Sequence, residues 1–246
     1  MHRGTARDVL GVLIAVALAG CEDPPRPGET LVVLSTAPDD RSENVPISVV
    51  PRIVFDRPLD PTTVNADAFR LHSGALTPGG TLRYSLVDRS LTFTPGVTLR
   101  PRLAYAARLA PGVRGIDGSE PGGPVEIVFV TGSDDRGRPP APPDPSFAED
   151  ILPLVSSHCG ACHAPPSPAG GLALASADDL IAAAARPSSQ WLGWAILTAG
   201  SPERSYLLYK VMDSPGLIGR RMPPDEPLTL DEARRLERWI SLGAGR

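Results

Sequence analysis

Lysine is all but missing from the chain. Lys210 is the only one in 246 residues, and every other permanent cation is an arginine. With a formal net charge of -4 and those arginines scattered, no basic stripe forms. A nucleic-acid face or phosphate-binding patch is therefore not expected. Cysteine is scarce as well. Three residues cannot make a disulfide framework without leaving one thiol over. Apolar runs are short, and the first, Val9 to Ala19, falls below the roughly 20 residues a permanent bilayer span needs. After Met1 only Met212 and Met222 offer a thioether. Proline is abundant instead, at 29 residues, with 24 glycines, which favours short strands, many turns and a stiff linker over a helical bundle.

Residues 1–20 have the anatomy of an export signal: His2, Arg3 and Arg7, then the apolar run, then small residues. The run ends "LAGC", which resembles the lipobox of bacterial lipoproteins. That resemblance implies acylation of Cys21 and a mature chain tethered by residues 21–28, "CEDPPRPG". A secreted protein cleaved near Gly20, with a free thiol left behind, is the alternative. Glu22 is not the aspartate associated with inner-membrane retention in well-known lipoproteins, which leans the expected location toward the outer membrane.

From residue 29 to 132, seven short runs ("TLVVLST", "PRIVFD", "AFRLHS", "TLRYSLV", "SLTFTP", "LAYAARLA", "VEIVFVTG") alternate apolar and polar residues between Gly, Pro, Asp and Asn. They predict seven strands in an antiparallel sandwich, with Ile53, Phe55, Leu91 and Phe93 facing the space between the sheets. Through "NVPISVVPRIVFDRPLDPTTVNADAFRL" and "YSLVDRSLTFTPGVTLRPRLAYAARLA" this segment resembles the bacterial Ig-like domains of exported proteins. The resemblance implies an all-β Ig-like fold and no activity. Residues 133–146, with five prolines, predict a semi-rigid linker in polyproline geometry.

The periodicity then changes. Phe147, Ile151, Leu154 and Val155 share a helical face, although Pro153 should distort the turn. Ser176 caps "ADDLIAAAA", Ser201-Pro202-Glu203 opens another helix, and Thr229 with Glu232 makes a capping box for a last helix that Gly243 ends. Residues 147–246 are thus expected to form a small all-α unit. Helices so short and interrupted bury little apolar surface, and such units usually need a staple or a cofactor.

"HCGACH" supplies the attachment. The chain's own frequencies make a chance C-x-x-C-H roughly a 6 in 10,000 event. In that spacing two thiols can each form a thioether to haem and the adjacent histidine can bind its iron. Cys159 and Cys162 are the candidate anchors and His163 the candidate proximal ligand of one covalent haem c. Zinc would need a fourth donor, and the mature chain adds only His158 next door and His72 in the other segment. A redox disulfide would want a strand-to-helix context, and a structural one would leave His163 unexplained.

For the distal position, Met222 sits in "GRRMPPDEP", a loop stiffened by Pro223 and Pro224. Met212 ends an apolar helix, where a methionine more often fills core. Through "FAEDILPLVSSHCGACH", "SPERSYLLYKV", "MPP" and "RRLERWISLGA" the segment resembles class I cytochromes c. The resemblance implies an N-terminal helix before the motif, a C-terminal helix packed on it, and Met222 as distal ligand, with Met212 or an open position as alternatives. Trp191, Trp194, Tyr206, Tyr209 and Trp239 are candidate core or haem wall, and Arg220 and Arg221 could pair with propionates or be solvated. From Phe147 onward nine basic and eleven acidic residues leave weak steering of partners.

The expectation is a multidomain, lipid-anchored protein of the cell envelope that carries single electrons to and from redox proteins there, with no nucleic-acid partner. It is more carrier than enzyme. Two rivals stand: a five-coordinate haem enzyme or ligand-binding protein, and an adhesion or glycan-binding Ig-like module with an accessory haem unit.

Overall fold

The computed structural model describes residues 29–135, 143–184, 186–215 and 217–245. The expected signal segment, Cys21 and its tether lie outside these residues, as does the middle of the proline-rich linker.

The described residues of this segment form eight strands instead of seven: β1 (Val33–Ala37), β2 (Ser42–Val45), β3 (Arg52–Phe55), β4 (Phe69–His72), β5 (Gly80–Ser85), β6 (Ser90–Pro95), β7 (Ala104–Leu109) and β8 (Glu126–Thr131). They form two four-stranded sheets, ordered β1-β3-β6-β5 and β2-β8-β7-β4. The additional strand, β2, reads "SENV" and has no apolar alternation to betray it. Its pairing also corrects the expectation of a purely antiparallel sandwich, because β2 runs parallel to β8 while the other pairs are antiparallel. Period-two geometry turns Ile53, Phe55, Leu91 and Phe93 inward as expected, and they join Phe69, Leu71, Ile127 and Phe129 in the core. Each such side chain contributes about 1.5–3 kcal/mol by leaving water.

The described residues of the C-terminal unit form four α-helices: α1 (Leu152–Cys159), α2 (Ala177–Ala182), α3 (Tyr206–Val211) and α4 (Leu230–Ser241). Pro153 lacks an amide hydrogen, and the chain enters α1 through a π-turn, Phe147–Ile151, in which Ile151 N–H reaches back to Ser146 O at 3.3 Å. Both capping boxes form: Ser176 with Asp179 at α2, and Thr229 with Glu232 at α4. The segment opened by Pro202 is a single 3₁₀ turn, not the start of a long helix. Ser205 is extended there, at φ -97° and ψ 106°, and bridges Ala195. Together with the bridges Ala184–Leu197 and Pro187–Ala195, this sets the helices in an irregular, partly bridged framework.

The two units touch through α4 and the β5–β6 hairpin. The hairpin turn carries Leu86 and Val87, both buried, because α4 lies over them. Glu237 of α4 accepts hydrogen bonds from Leu86 N–H (2.7 Å), Val87 N–H (3.2 Å) and Ser85 Oγ (2.6 Å). Arg234 pairs with Asp88 at 2.8 Å, and Arg83 donates to Ser241 Oγ at 2.8 Å. Arg238 grips Asp144, at the C-terminal end of the linker, at 2.6 Å.

Candidate functional site

The last turn of α1 delivers His158 and Cys159, and the chain then folds back on itself. Cys162 and His163 donate their amides to Cys159 O at 3.3 and 2.9 Å, so the turn holds both thiols and the imidazole at one end of the helix. Neither cysteine is in a disulfide; Cys159 is half-buried and Cys162 exposed. Burial pushes the Cys159 thiol up to about 11.

His163 has a defined orientation. Its Nδ1 lies 2.7 Å from Leu172 O, and a carbonyl oxygen can only accept, so Nδ1 carries the proton. In the neutral imidazole this tautomer keeps the Nε2 lone pair for a metal, and Nε2 meets no hydrogen-bond partner among the described residues. Leu174 N–H closes the same segment on His163 O at 2.8 Å.

These residues open onto a crevice of about 390 Å³ that also takes in Met222, Pro223 and Pro224. Its walls are apolar, with Leu172, Leu174, Ile196, Leu207 and Val211, and its size lies within the roughly 300–1,000 Å³ of cofactor sites. Met212 does not line it; that side chain packs partly buried against the core. The fold thus brings Cys159, Cys162, His163 and Met222 to one cavity, although Met222 is 59 residues from His163 in sequence. Among the described residues, no three His, Cys, Asp or Glu side chains converge on a point as an ion's ligands do. Two thiols, an oriented imidazole and a thioether around an apolar slot fit a flat macrocycle bearing iron better than a bare ion.

The supporting contacts come from α4. Phe147 stacks on Trp239 with ring centroids 5.8 Å apart, and Asp150 approaches Arg235 at 3.6 Å. His158 Nε2 meets Glu232 Oε1 at 3.1 Å. Glu232 therefore has two roles, since Oε2 accepts from Thr229 N–H and Thr229 Oγ1 in the capping box. The Thr229 amide, then its hydroxyl and His158, hold this carboxyl below the usual carboxylate range. The role of His158 was invisible in sequence, because its partner lies on an element 74 residues away.

Of the five aromatics flagged in the sequence, only Tyr206 lines the crevice. Trp191 and Trp194 stack at 5.1 Å and meet Tyr209 edge-on at 5.3 and 5.1 Å, forming a box behind the wall. Trp239 belongs to the α1–α4 contact instead. Arg221 does not line the crevice, yet its Nε is buried without a partner among the described residues.

A family model for the bacterial Ig-like domain matches residues 28–131, and one for Planctomycete cytochrome C matches residues 159–226. The second match starts at Cys159 and spans His163 and Met222, leaving α4 outside. No curated protein matches the chain. Among solved structures, the N-terminal part of the bacterial S-layer protein SbsC is 18% identical over 42% of this chain and 24% of its own, with a TM-score of 0.33. CopC from Methylosinus trichosporium OB3b is 12% identical over 45% of this chain and 99% of its own, at 0.34. An L,D-transpeptidase from Mycobacterium smegmatis is 14% identical over 42% and 41%, at 0.31. The chain thus spans about a quarter of the SbsC structure, and likeness at this level says nothing of activity. The chain thus matches the bacterial Ig-like family over residues 28–131 and, after it, the Planctomycete cytochrome C family over residues 159–226.

Proposed function

We propose that the C-terminal unit holds one covalent haem c and that the protein carries single electrons in the cell envelope. The observation that supports this most is the hydrogen bond from His163 Nδ1 to Leu172 O, which leaves Nε2 as a ligand in the same crevice as Cys159, Cys162 and Met222. Bound haem supplies one-electron redox chemistry, and thioether ligation favours the ferrous state. Cys159 and Cys162 would anchor it, and His163 would be its proximal ligand. Met222, in the same crevice, would supply a thioether as the distal ligand. Leucine, isoleucine and valine side chains make most of the wall apolar, with Ser188, Gln190 and Lys210 among its polar members.

On this reading Cys21 is the lipid anchor, the partners are redox proteins of the envelope, and the membrane is reached by lipid. Among the described residues no helix is long and apolar enough to cross a membrane. Transient redox contacts need only small interfaces, and tethering raises the local concentration for them.

The test is the intact mass and optical spectrum of protein exported in a host with haem-attachment machinery. One haem added by two thioether bonds, with Soret absorption, is the expected result. Colourless protein with unmodified Cys159 and Cys162 would remove the proposal.

A further inference from the structure

The only lysine of the chain stands beside the segment that bears Met222. Lys210 is in the last turn of α3, and its carbonyl accepts the Met222 amide at 2.8 Å. Its Nζ donates to Ile218 O at 2.7 Å and to Arg220 O at 3.0 Å. Three hydrogen bonds to a single residue therefore close the stretch from Ile218 to Met222 onto α3. The backbone lies beside the amine: a Cβ added to Gly219, where φ is +78°, would stand in ordinary contact with Nζ at 3.6 Å. Ile218 adds little packing of its own to this closure, being 55% exposed. Lys210 itself lines the crevice with Met222, and its Nζ stands 5.9 Å from the centre of the Tyr206 ring. Tyr206 is in turn fixed by Gln190, at 3.0 Å.

We propose that Lys210 is a positioning residue for the distal ligand: its ammonium gathers two loop carbonyls and so keeps Met222 over the crevice. The chemistry suits lysine. An ammonium is a compact head with three rotatable donors that can serve two converging carbonyls, whereas the planar arginine fork is built for carboxylates. In a chain that otherwise uses arginine for every permanent cation, this is the one position that has an ammonium.

The inference rests on Met222 as distal ligand, so Lys210→Met, Lys210→Arg and Met222→Ala are compared in the holoprotein. Four quantities are read: the ferric iron–thioether absorption band, the reduction potential, imidazole binding to the ferric form, and exchange of the Met222 amide. Lys210→Met keeps the aliphatic stem and removes every donor. It should weaken the thioether band, lower the potential, and raise both imidazole affinity and Met222 amide exchange by about tenfold or more, the size of one lost charged hydrogen bond. Lys210→Arg should recover part of each change, which separates lost positioning from lost folding. Lys210→Met with wild-type band, potential and exchange, beside a changed Met222→Ala, would overturn the positioning role alone. An unchanged band and potential in Met222→Ala would overturn the ligand assignment, and the positioning role with it.

Discussion

At the scale of single residues, two glutamates on one helix face opposite electrostatic conditions. Glu232 is held below the ordinary carboxylate range, first by the Thr229 amide, so its ionised form favours the fold. That contribution is fully present above the unfolded value of roughly 4.3 and is lost as pH falls through the lower folded value. Burial pushes Glu237 up, against the hydrogen bonds from Ser85, Val87 and Leu86. Ionising it therefore costs stability as pH rises through its raised folded value, and the cost is absent below the unfolded one. Thermal melts across pH should show a maximum in the mildly acidic range. Glu237→Gln should flatten the neutral side of that curve and leave the acid side, whereas Glu232→Gln should flatten the acid side and lower stability by about 1 kcal/mol through the weakened cap. A neutral limb that persists in Glu237→Gln would refute the assignment.

At the scale of elements, α4 joins three jobs. Its capping box ties to His158 beside the cysteine pair, Trp239 stacks on Phe147 at the entry to α1, and Glu237 satisfies the amides of the β5–β6 turn. Removing the Glu237 carboxylate leaves Leu86 and Val87 N–H buried without acceptors. Each such donor costs about 1–3 kcal/mol, so Glu237→Ala should destabilise the protein by roughly 3 kcal/mol. The neighbouring pair Arg234–Asp88 is partly exposed, and Arg234→Ala should cost about 1 kcal/mol or less. Calorimetry on the two variants orders these effects, and equal losses would show that burial does not set the difference.

At the scale of the molecule, the contacts of Glu237, Arg83 and Arg234 make the sandwich a support for the C-terminal helices rather than a freely tethered neighbour. One cooperative transition is expected for the intact chain, and Glu237→Ala should split it into two, read by scanning calorimetry beside the Soret band. A split already present in the wild type would mean that docking couples the units too weakly to matter. Both described flanks of the proline-rich segment are anchored: Asp144 is held by Arg238, and Asp135 accepts Ser48 N–H at 2.8 Å.

The sequence by itself determined whatever is encoded over a few neighbouring residues. Alternation placed Ile53, Phe55, Leu91 and Phe93 in the core, Thr229 and Glu232 marked a helix start three residues apart, and the close spacing of Cys159, Cys162 and His163 kept them on one turn. Such features are legible because strand and helix periods, caps and adjacent ligands are local geometry. Polar β2 stayed hidden because its strand conformation comes from pairing with β8, not from its own side chains. Only the tertiary structure decided which methionine meets the crevice, which nitrogen of His163 carries the proton, and that Glu237 and Lys210 hold distant backbone. Those outcomes rest on hydrogen bonds whose partners the chain brings together only by folding, and no local pattern records them.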